Sequence, residues 1–203
     1  MDLRPRPGVH DANRHLIENP PAGQRLHLVE SPADTGGHSF TAEWTIAPRR
    51  GRDGVPPHVH RAASERFTVS AGRGRYLIGK EERELGPGES VEMAPGVPHI
   101  HPWSVSDEEL RYTQETTASP PDQAGLDRAL DALSTMFALA REGRTNAQGV
   151  PNQLQMIAIG RYIMPGTYLA GLPIGVQNVL MPVLAAIVGL FGYRPIYARH
   201  QAR

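Results

Sequence analysis

Apolar and polar residues alternate in short segments along the first half of the chain. In residues 39–47, SFTAEWTIA, every second residue from Phe40 to Ile46 is apolar, which places these side chains on one face of a strand. Glycine, proline and charged residues separate the segments and predict tight turns. The pattern predicts strands at residues 24–30, 39–47, 65–70, 75–79, 82–85, 90–93, 99–103 and 110–116, preceded by a flexible N-terminal arm over residues 1–22.

After residue 118 the apolar period changes from that of a strand to that of a helix. Leucine and phenylalanine recur at helical spacing from Leu126 to Leu139, and Gly143 follows as a stop signal. A second helix is predicted over residues 153–163. Many short strands with glycine and proline between them are typical of a sandwich or barrel. We therefore expect a β domain over residues 23–118 and a helical C-terminal extension over residues 119–203.

The segment from Pro173 to Tyr193 is apolar and contains no charged residue. Its length approaches the ~20 apolar residues that cross a bilayer. Gln177, Asn178 and Pro182 interrupt the apolar run. A helix that is apolar on nearly all sides can equally be buried between two protein surfaces. We expect a helix that packs on the β domain or builds a homodimer, and contact with a membrane through residues 173–193 is the alternative.

Three histidines and a glutamate have the spacing of one metal site. His58 and His60 are two residues apart, so on a strand both imidazoles project from the same face. Glu65 follows after a short bend, and a glycine- and proline-rich turn precedes His99. Imidazole suits zinc, copper, iron and nickel, and a carboxylate shifts the preference toward iron, manganese or nickel. The spacing predicts that these four side chains bind one divalent ion.

These residues resemble the two sequence motifs of the cupin superfamily over about residues 36–118. The first motif, roughly G-x5-H-x-H-x3-4-E-x6-G, and the second, G-x5-P-x-G-x2-H-x3-N, are matched by His58, His60, Glu65, Gly72, Gly88, Gly96 and His99. The chain departs from the motifs at Arg52, Ala94 and Trp103, none of which is a metal ligand position. The resemblance implies a mainly β fold, the cupin double-stranded β-helix or jelly roll, closed as a β-barrel.

The C-terminal extension also resembles that of a group of small bacterial single-domain cupins of the quercetinase-like type. This likeness lies in the segments REGRTNAQGVPNQLQ and GLFGYRPIY. Its residues are Thr145, Asn146, Gly149, Pro151, Asn152, Leu154, Gln155, Gly192, Tyr193 and Arg194. The likeness strengthens the expectation for the fold more than that for the reaction.

Composition excludes several function classes. Lys+Arg and Asp+Glu balance at 21 each, so no global charge attracts nucleic acid. Cysteine is absent, which excludes disulfides, thiolate metal sites and cysteine nucleophiles. The chain has no G-x-S-x-G elbow and no phosphate loop. The N-terminus lacks an apolar core of signal-peptide length, so we expect a cytoplasmic protein, with membrane association as the alternative.

These features together predict a metal-dependent cupin enzyme, an oxidoreductase that acts on a small organic substrate. Fe2+ is the expected ion, with Mn2+, Ni2+ and Zn2+ as alternatives. Glu65 and His101 are the predicted catalytic groups, with His101 as a proton carrier beside the metal. Strand parity predicts that the pocket walls are Phe67, Tyr76, Trp103 and Tyr112. Dioxygenase-type oxidation of an enol is the main hypothesis; a redox-neutral isomerase, cyclase or lyase and a non-catalytic binding module are the alternatives.

Overall fold

A computed structural model describes residues 16–52 and 56–197. Within these ranges the chain forms two antiparallel β-sheets and three helices, so the predicted mainly β fold with C-terminal helices is confirmed. The strands are β1 (Leu16–Asn19), β2 (Gln24–Glu30), β3 (Ser39–Ile46), β4 (His58–His60), β5 (Ala63–Ala71), β6 (Gly74–Ile78), β7 (Glu81–Leu85), β8 (Ser90–Met93), β9 (His99–Ser104), β10 (Leu110–Ala118) and β11 (Thr167–Leu169). The helices are α1 (Gln123–Arg141), α2 (Gln153–Ile163) and α3 (Ile174–Leu190).

The two sheets face each other as a sandwich. The first has the strand order β1-β2-β3-β10-β5-β8, and the second has the order β11-β4-β9-β6-β7. Between the sheets no strand pairing closes a ring among the described residues. The expected closed β-barrel is therefore corrected to a pair of open sheets, whose inner faces still form one core.

The core lies between the sheets and under the first helix. Phe40, Phe67 and Leu110 of the first sheet are at most 2% exposed and belong to one apolar cluster with Tyr76 of the second sheet. Phe137 of α1 joins the same cluster. Burying a side chain of this size stabilises the fold by about 1.5–3 kcal/mol. Helix α1 is therefore part of the core of the β domain.

Three short strands lie outside the predicted set: β1, β11 and β4, which carries the two histidines whose spacing suits a strand. Strand β1 pairs with β2, so the loose arm predicted over residues 1–22 is wrong for residues 16–19, and residues 1–15 lie outside the described ranges. Strand β11 comes from the C-terminal extension and pairs with β4, placing Thr167 opposite His60. The extension thus completes the sheet that carries the first candidate ligands.

Local signals begin the first two helices where the sequence predicts them. The Asp122 carboxylate accepts a hydrogen bond from the backbone N–H of Gly125 at 2.8 Å, and the Asn152 side chain accepts one from Gln155 at 3.0 Å. Such caps satisfy N–H groups that have no partner inside the helix.

Helix α3 packs on α2 and leaves most of its surface outside the protein. Gln177 and Val188 are its two buried residues. Ile174 and Met181 pack against a cluster that includes Val59 of β4, so the predicted contact with the β domain is present. The prediction that the segment is buried is wrong for the single chain, and the homodimer remains a prediction. Among the described residues, no helix has the length and apolar character needed to cross a membrane.

One motif glycine has a clear steric role. Gly72 joins β5 to β6 with a φ of +71°, a conformation that side chains with a Cβ rarely adopt. A Cβ at this position would also collide with the backbone carbonyl oxygen of Glu109. The tight connection between these two strands therefore requires glycine.

Candidate metal centre

Both sheets contribute to one cluster of candidate ligands. Strand β4 carries His58 and His60, and β9 carries His99 and His101. His58 lies opposite His99 in the ladder between these strands. Glu65 comes from β5 in the other sheet. Alternation along each strand turns these side chains inward, so the sandwich brings four imidazoles and one carboxylate together.

The donor atoms of these five side chains all lie within 4.8 Å of one another. Glu65 Oε2 is 2.9 Å from His101 Nε2, 3.0 Å from His99 Nε2 and 3.4 Å from His60 Nε2. Two neighbouring ligands at right angles around an ion with bonds of about 2.1 Å are themselves about 3.0 Å apart. The spacing of the donor atoms therefore suits a single transition-metal ion.

The outer nitrogens of the imidazoles are held by neighbouring groups. His58 Nδ1 donates to the carbonyl oxygen of Pro56 at 3.1 Å, and His99 Nδ1 donates to that of Val97 at 2.9 Å. A carbonyl oxygen only accepts, so each Nδ1 carries a hydrogen and the neutral ring has its lone pair on Nε2. The nitrogen available to a metal in each ring is thus Nε2, opposite the anchored Nδ1.

His99 and Glu65 place two hydrogen-bond acceptors against each other unless a cation lies between them. With its hydrogen on Nδ1, a neutral His99 presents a lone pair to the Glu65 carboxylate at 3.0 Å. His60 Nε2 is buried and has no hydrogen-bond partner within the described part of the chain. An unsatisfied buried polar atom costs about 1–3 kcal/mol. A divalent ion would satisfy all three groups, so the donor set fits a metal.

Hydrogen bonds to its second carboxylate oxygen, Oε1, hold Glu65 in place. The Gln114 side-chain amide on β10 donates to Glu65 Oε1 at 2.8 Å, and the indole N–H of Trp44 donates to the Gln114 amide oxygen at 2.7 Å. Burial alone would raise the pKa of Glu65, but the charges of His101 and His60 outweigh it and place the pKa well below the usual range. The carboxylate therefore stays ionised, as a metal ligand must be.

Comparison with known proteins identifies the domain that carries this cluster. Residues 43–114 match the family model described as a cupin domain. These residues form a cupin domain. The matched range includes all five donor residues.

Solved structures of cupins resemble the chain at low identity. A predicted oxalate decarboxylase from Thermotoga maritima is 14% identical with a TM-score of 0.43, and the match covers 47% of this chain and 80% of that one. An ectoine synthase from P. lautus is 13% identical with a TM-score of 0.41, covering 58% and 78%. The cupin domain of a transcriptional regulator from Enterobacter cloacae is 20% identical with a TM-score of 0.39, covering 47% and 96%. None of the curated proteins compared with the chain matches it. These likenesses carry no conclusion about activity.

The cupin domain has a small cavity beside the donor cluster. The cavity measures about 30 Å³, little more than a water molecule needs, and His101 and Tyr112 line it. Leu133 and Phe137 of α1 close its other side. Burial, with the charge of Glu65 as a second cause, raises the pKa of Tyr112 well above its usual value. The Tyr112 phenol therefore stays protonated and can donate a hydrogen bond.

The four predicted pocket residues of the cupin domain occupy different places. Tyr112 lines the cavity, and the ring of Phe67 lies 4.9 Å from that of His101. Tyr76 is in the main apolar cluster. Trp103 is buried at 5% exposure with the Arg52 guanidinium 4.8 Å above its ring. The structure thus groups Phe67 and Tyr112 with the donor cluster and places the other two apart from the cavity.

Two supporting residues of the cupin centre were missed in the sequence. Gln114 had a usable signal, because it follows Leu110 and Tyr112 on the inward parity of β10, where an amide needs a buried partner. Thr167 had no such signal in the sequence. Its hydroxyl lies 2.9 Å from His60 Nδ1, but the two residues are 107 positions apart.

We expect Thr167→Val to weaken metal binding about tenfold, because valine keeps the side-chain shape but removes the hydroxyl that orients His60. Competition with a chelator measures the affinity. Thr167→Ser keeps the hydroxyl and serves as the matched control, with near wild-type affinity. Equal affinities for all three proteins would contradict this role.

Protons compete with the metal for the same nitrogens. Burial alone would lower the pKa of His99, but the hydrogen bond and charge of Glu65 outweigh it and raise that pKa. Below the raised pKa a proton must leave before a metal binds, so we expect affinity to fall about tenfold per pH unit for each displaced proton. Metal titrations between about pH 5.5 and pH 7.5 test this sign. A flat profile would contradict proton competition at the cluster.

Proposed function

We propose that the chain is a metal-dependent enzyme that oxidises a small organic molecule, an enol or a related compound, with dioxygen. The observation that carries this proposal is the convergence of four imidazoles and one carboxylate at one point between the sheets. Fe2+ is the proposed ion, with Mn2+, Ni2+ and Zn2+ as alternatives, because the donor set is nitrogen and oxygen without thiolate. A bound Fe2+ would supply the Lewis acidity and the redox capacity that such an oxidation needs.

The chain's own groups suit the handling of an enol proton. In a dioxygenase both oxygen atoms enter the organic product, so the substrate supplies the electrons and no further reductant is required. His101 lines the cavity and contacts Glu65, which places its Nε2 between a ligand position and the cavity. In this proposal His101 accepts the hydroxyl proton of the substrate, and the protonated Tyr112 donates a hydrogen bond to the oxygen that remains.

Two alternatives have observations in their favour. His101 and Tyr112 on one cavity also form an acid–base pair, which a redox-neutral isomerase, cyclase or lyase would use. The small cavity of about 30 Å³ leaves no room for an organic substrate unless α1 moves, which favours a protein without turnover, although the ligand of a non-catalytic binding module needs the same movement. Each alternative gives a different outcome in one experiment.

The test begins with full-length protein purified without added transition metals, whose metal content is then quantified. Oxygen uptake is followed with flavonols, diketones and sugar acids, and substrate loss is followed in parallel without oxygen. Consumption of one dioxygen per substrate supports the proposal. Turnover without oxygen would establish the redox-neutral alternative, and stoichiometric metal without turnover of any compound would establish the binding module.

His101→Ala separates a proton carrier from a metal ligand. Because we assign His101 to proton transfer, we expect metal affinity within about tenfold of wild type and turnover lowered by about 100-fold or more. Chelator competition and steady-state rates on the same preparation measure both. Loss of the metal together with turnover would instead make His101 a fifth ligand.

A further inference from the structure

The outer face of α3 is a continuous apolar surface. Its side chains are between 46% and 87% exposed: Val176, Val179, Leu180, Val183, Ile187 and Leu190, here called the α3 face. Leu172 before the helix and Phe191 after it extend this surface. Single exposed apolar residues are common on proteins, but a contiguous patch of this kind marks an interaction site.

The α3 face contains no charge of its own. No Asp, Glu, Lys, Arg or His occurs between Arg161 and Arg194. The six positions span about 100° of the helix circumference, and five of them, Val176, Leu180, Val183, Ile187 and Leu190, have the four-three spacing of a coiled-coil seam. Coiled-coil helices select their partners through charged residues beside the seam, however, and α3 has none.

Three arginines lie beside the α3 face. A cavity of about 750 Å³ between α2 and α3 is lined by Arg128, Arg161 and Arg194, and no acidic side chain lines it. Arg161 and Arg194 are exposed and form no ion pair within residues 16–52 and 56–197. Ala186 of α3 lines the cavity and is itself exposed, so the arginine cavity and the α3 face share an edge.

We propose that this surface docks on an anionic lipid bilayer, with α3 lying in the plane of the membrane. The apolar side chains would enter the boundary between headgroups and acyl chains, and the arginines would meet lipid phosphates at its edge. A second copy of the chain would suit the apolar side chains, but its own surface beside α3 has the same arginines and no acidic side chain lines that cavity. Anionic lipid supplies the negative charge that a second copy lacks at this edge.

Vesicle flotation of the full-length protein tests the proposal. We expect co-flotation with phosphatidylcholine vesicles containing about 30% phosphatidylglycerol, binding at least tenfold weaker to pure phosphatidylcholine, and weakening at about 0.5 M salt. Arg161→Gln combined with Arg194→Gln should lower affinity for the anionic vesicles by roughly fivefold per arginine and change little on neutral ones.

A matched pair of valines tests the apolar part. Val183 is 56% exposed on the α3 face, and Val29 is 53% exposed on β2. Val183→Asp should reduce vesicle binding more than tenfold, whereas Val29→Asp should leave it unchanged. Circular dichroism and metal content show whether each variant is folded. If Val183→Asp is unfolded, the double arginine variant and the salt dependence test membrane binding instead.

Two outcomes would overturn the proposal. One is full-length protein that stays away from vesicles of either composition. The other is wild-type protein that is dimeric by light scattering and does not float, with Val183→Asp monomeric, which would assign the α3 face to a second copy of the chain.

Discussion

Replacing His99 with alanine is expected to lower metal affinity more than about 100-fold, because the loss of a supporting outer contact alone typically costs 10- to 100-fold. His99 is 1% exposed, its Nδ1 is anchored by Val97, and its Nε2 faces Glu65 at 3.0 Å. Among the described residues, these five side chains supply all the His, Cys, Asp and Glu donors of the cluster. Metal content after dialysis and chelator competition measure the loss.

The matched control is a histidine outside the cluster. His38 is exposed and offers no donor to the centre. His38→Ala should bind metal like the wild type. His99→Ala should remain folded, because it leaves the apolar core with Phe67 and Leu110 unchanged. If the His99 variant kept the wild-type affinity, His99 would not be a metal ligand.

Replacing Phe137 with alanine is expected to lower the free energy of unfolding by about 3–5 kcal/mol, the usual cost of deleting a buried phenylalanine ring. Phe137 is 3% exposed, and its ring lies edge-on to that of Trp44 at 6.0 Å. A loss of this size corresponds to a fall of roughly 10 °C in the melting temperature of a domain of this length. Thermal unfolding followed by tryptophan fluorescence measures it.

Phe191 provides the matched control, since it is 73% exposed at the end of α3. Phe191→Ala should change the free energy of unfolding by no more than about 0.5 kcal/mol in the absence of vesicles. A cost below about 1 kcal/mol for Phe137→Ala would contradict the conclusion that α1 completes the core of the cupin domain. The same variant enlarges the cavity beside His101, so binding of a larger substrate can be compared in the folded fraction.

Local patterns were sufficient for the strands of the cupin domain other than β4 and for its donor residues. Alternation predicted β2, β3, β8 and β10 within one or two residues, because side chains on a strand alternate whatever the strand packs against. The same rule placed Glu65 and Phe67 on one inward face, and both are buried.

Elsewhere the prediction from local patterns failed, because contacts between distant parts of the chain decided the structure. Strand β11 has three residues, too few for a detectable alternation. It forms a strand because it pairs with the open edge of β4. The apolar tail was expected to be buried, since hydropathy reports the preference of a segment for an apolar environment and not whether the fold supplies one. In the structure the fold covers Gln177 and Val188 and leaves the α3 face outside.

The sequence by itself determined the donor chemistry: His58, His60, Glu65 and His99 are nitrogen and oxygen donors in cupin motif positions, in a chain without a thiolate. The sequence also predicted His101 beside them, but only the tertiary structure decided that His101 Nε2 contacts Glu65 at 2.9 Å, that Gln114 and Thr167 hold the donors, and that α1 closes the adjacent cavity. The physical reason is that the face on which a side chain lies follows from the local backbone, whereas the distance between two faces depends on how the whole chain packs.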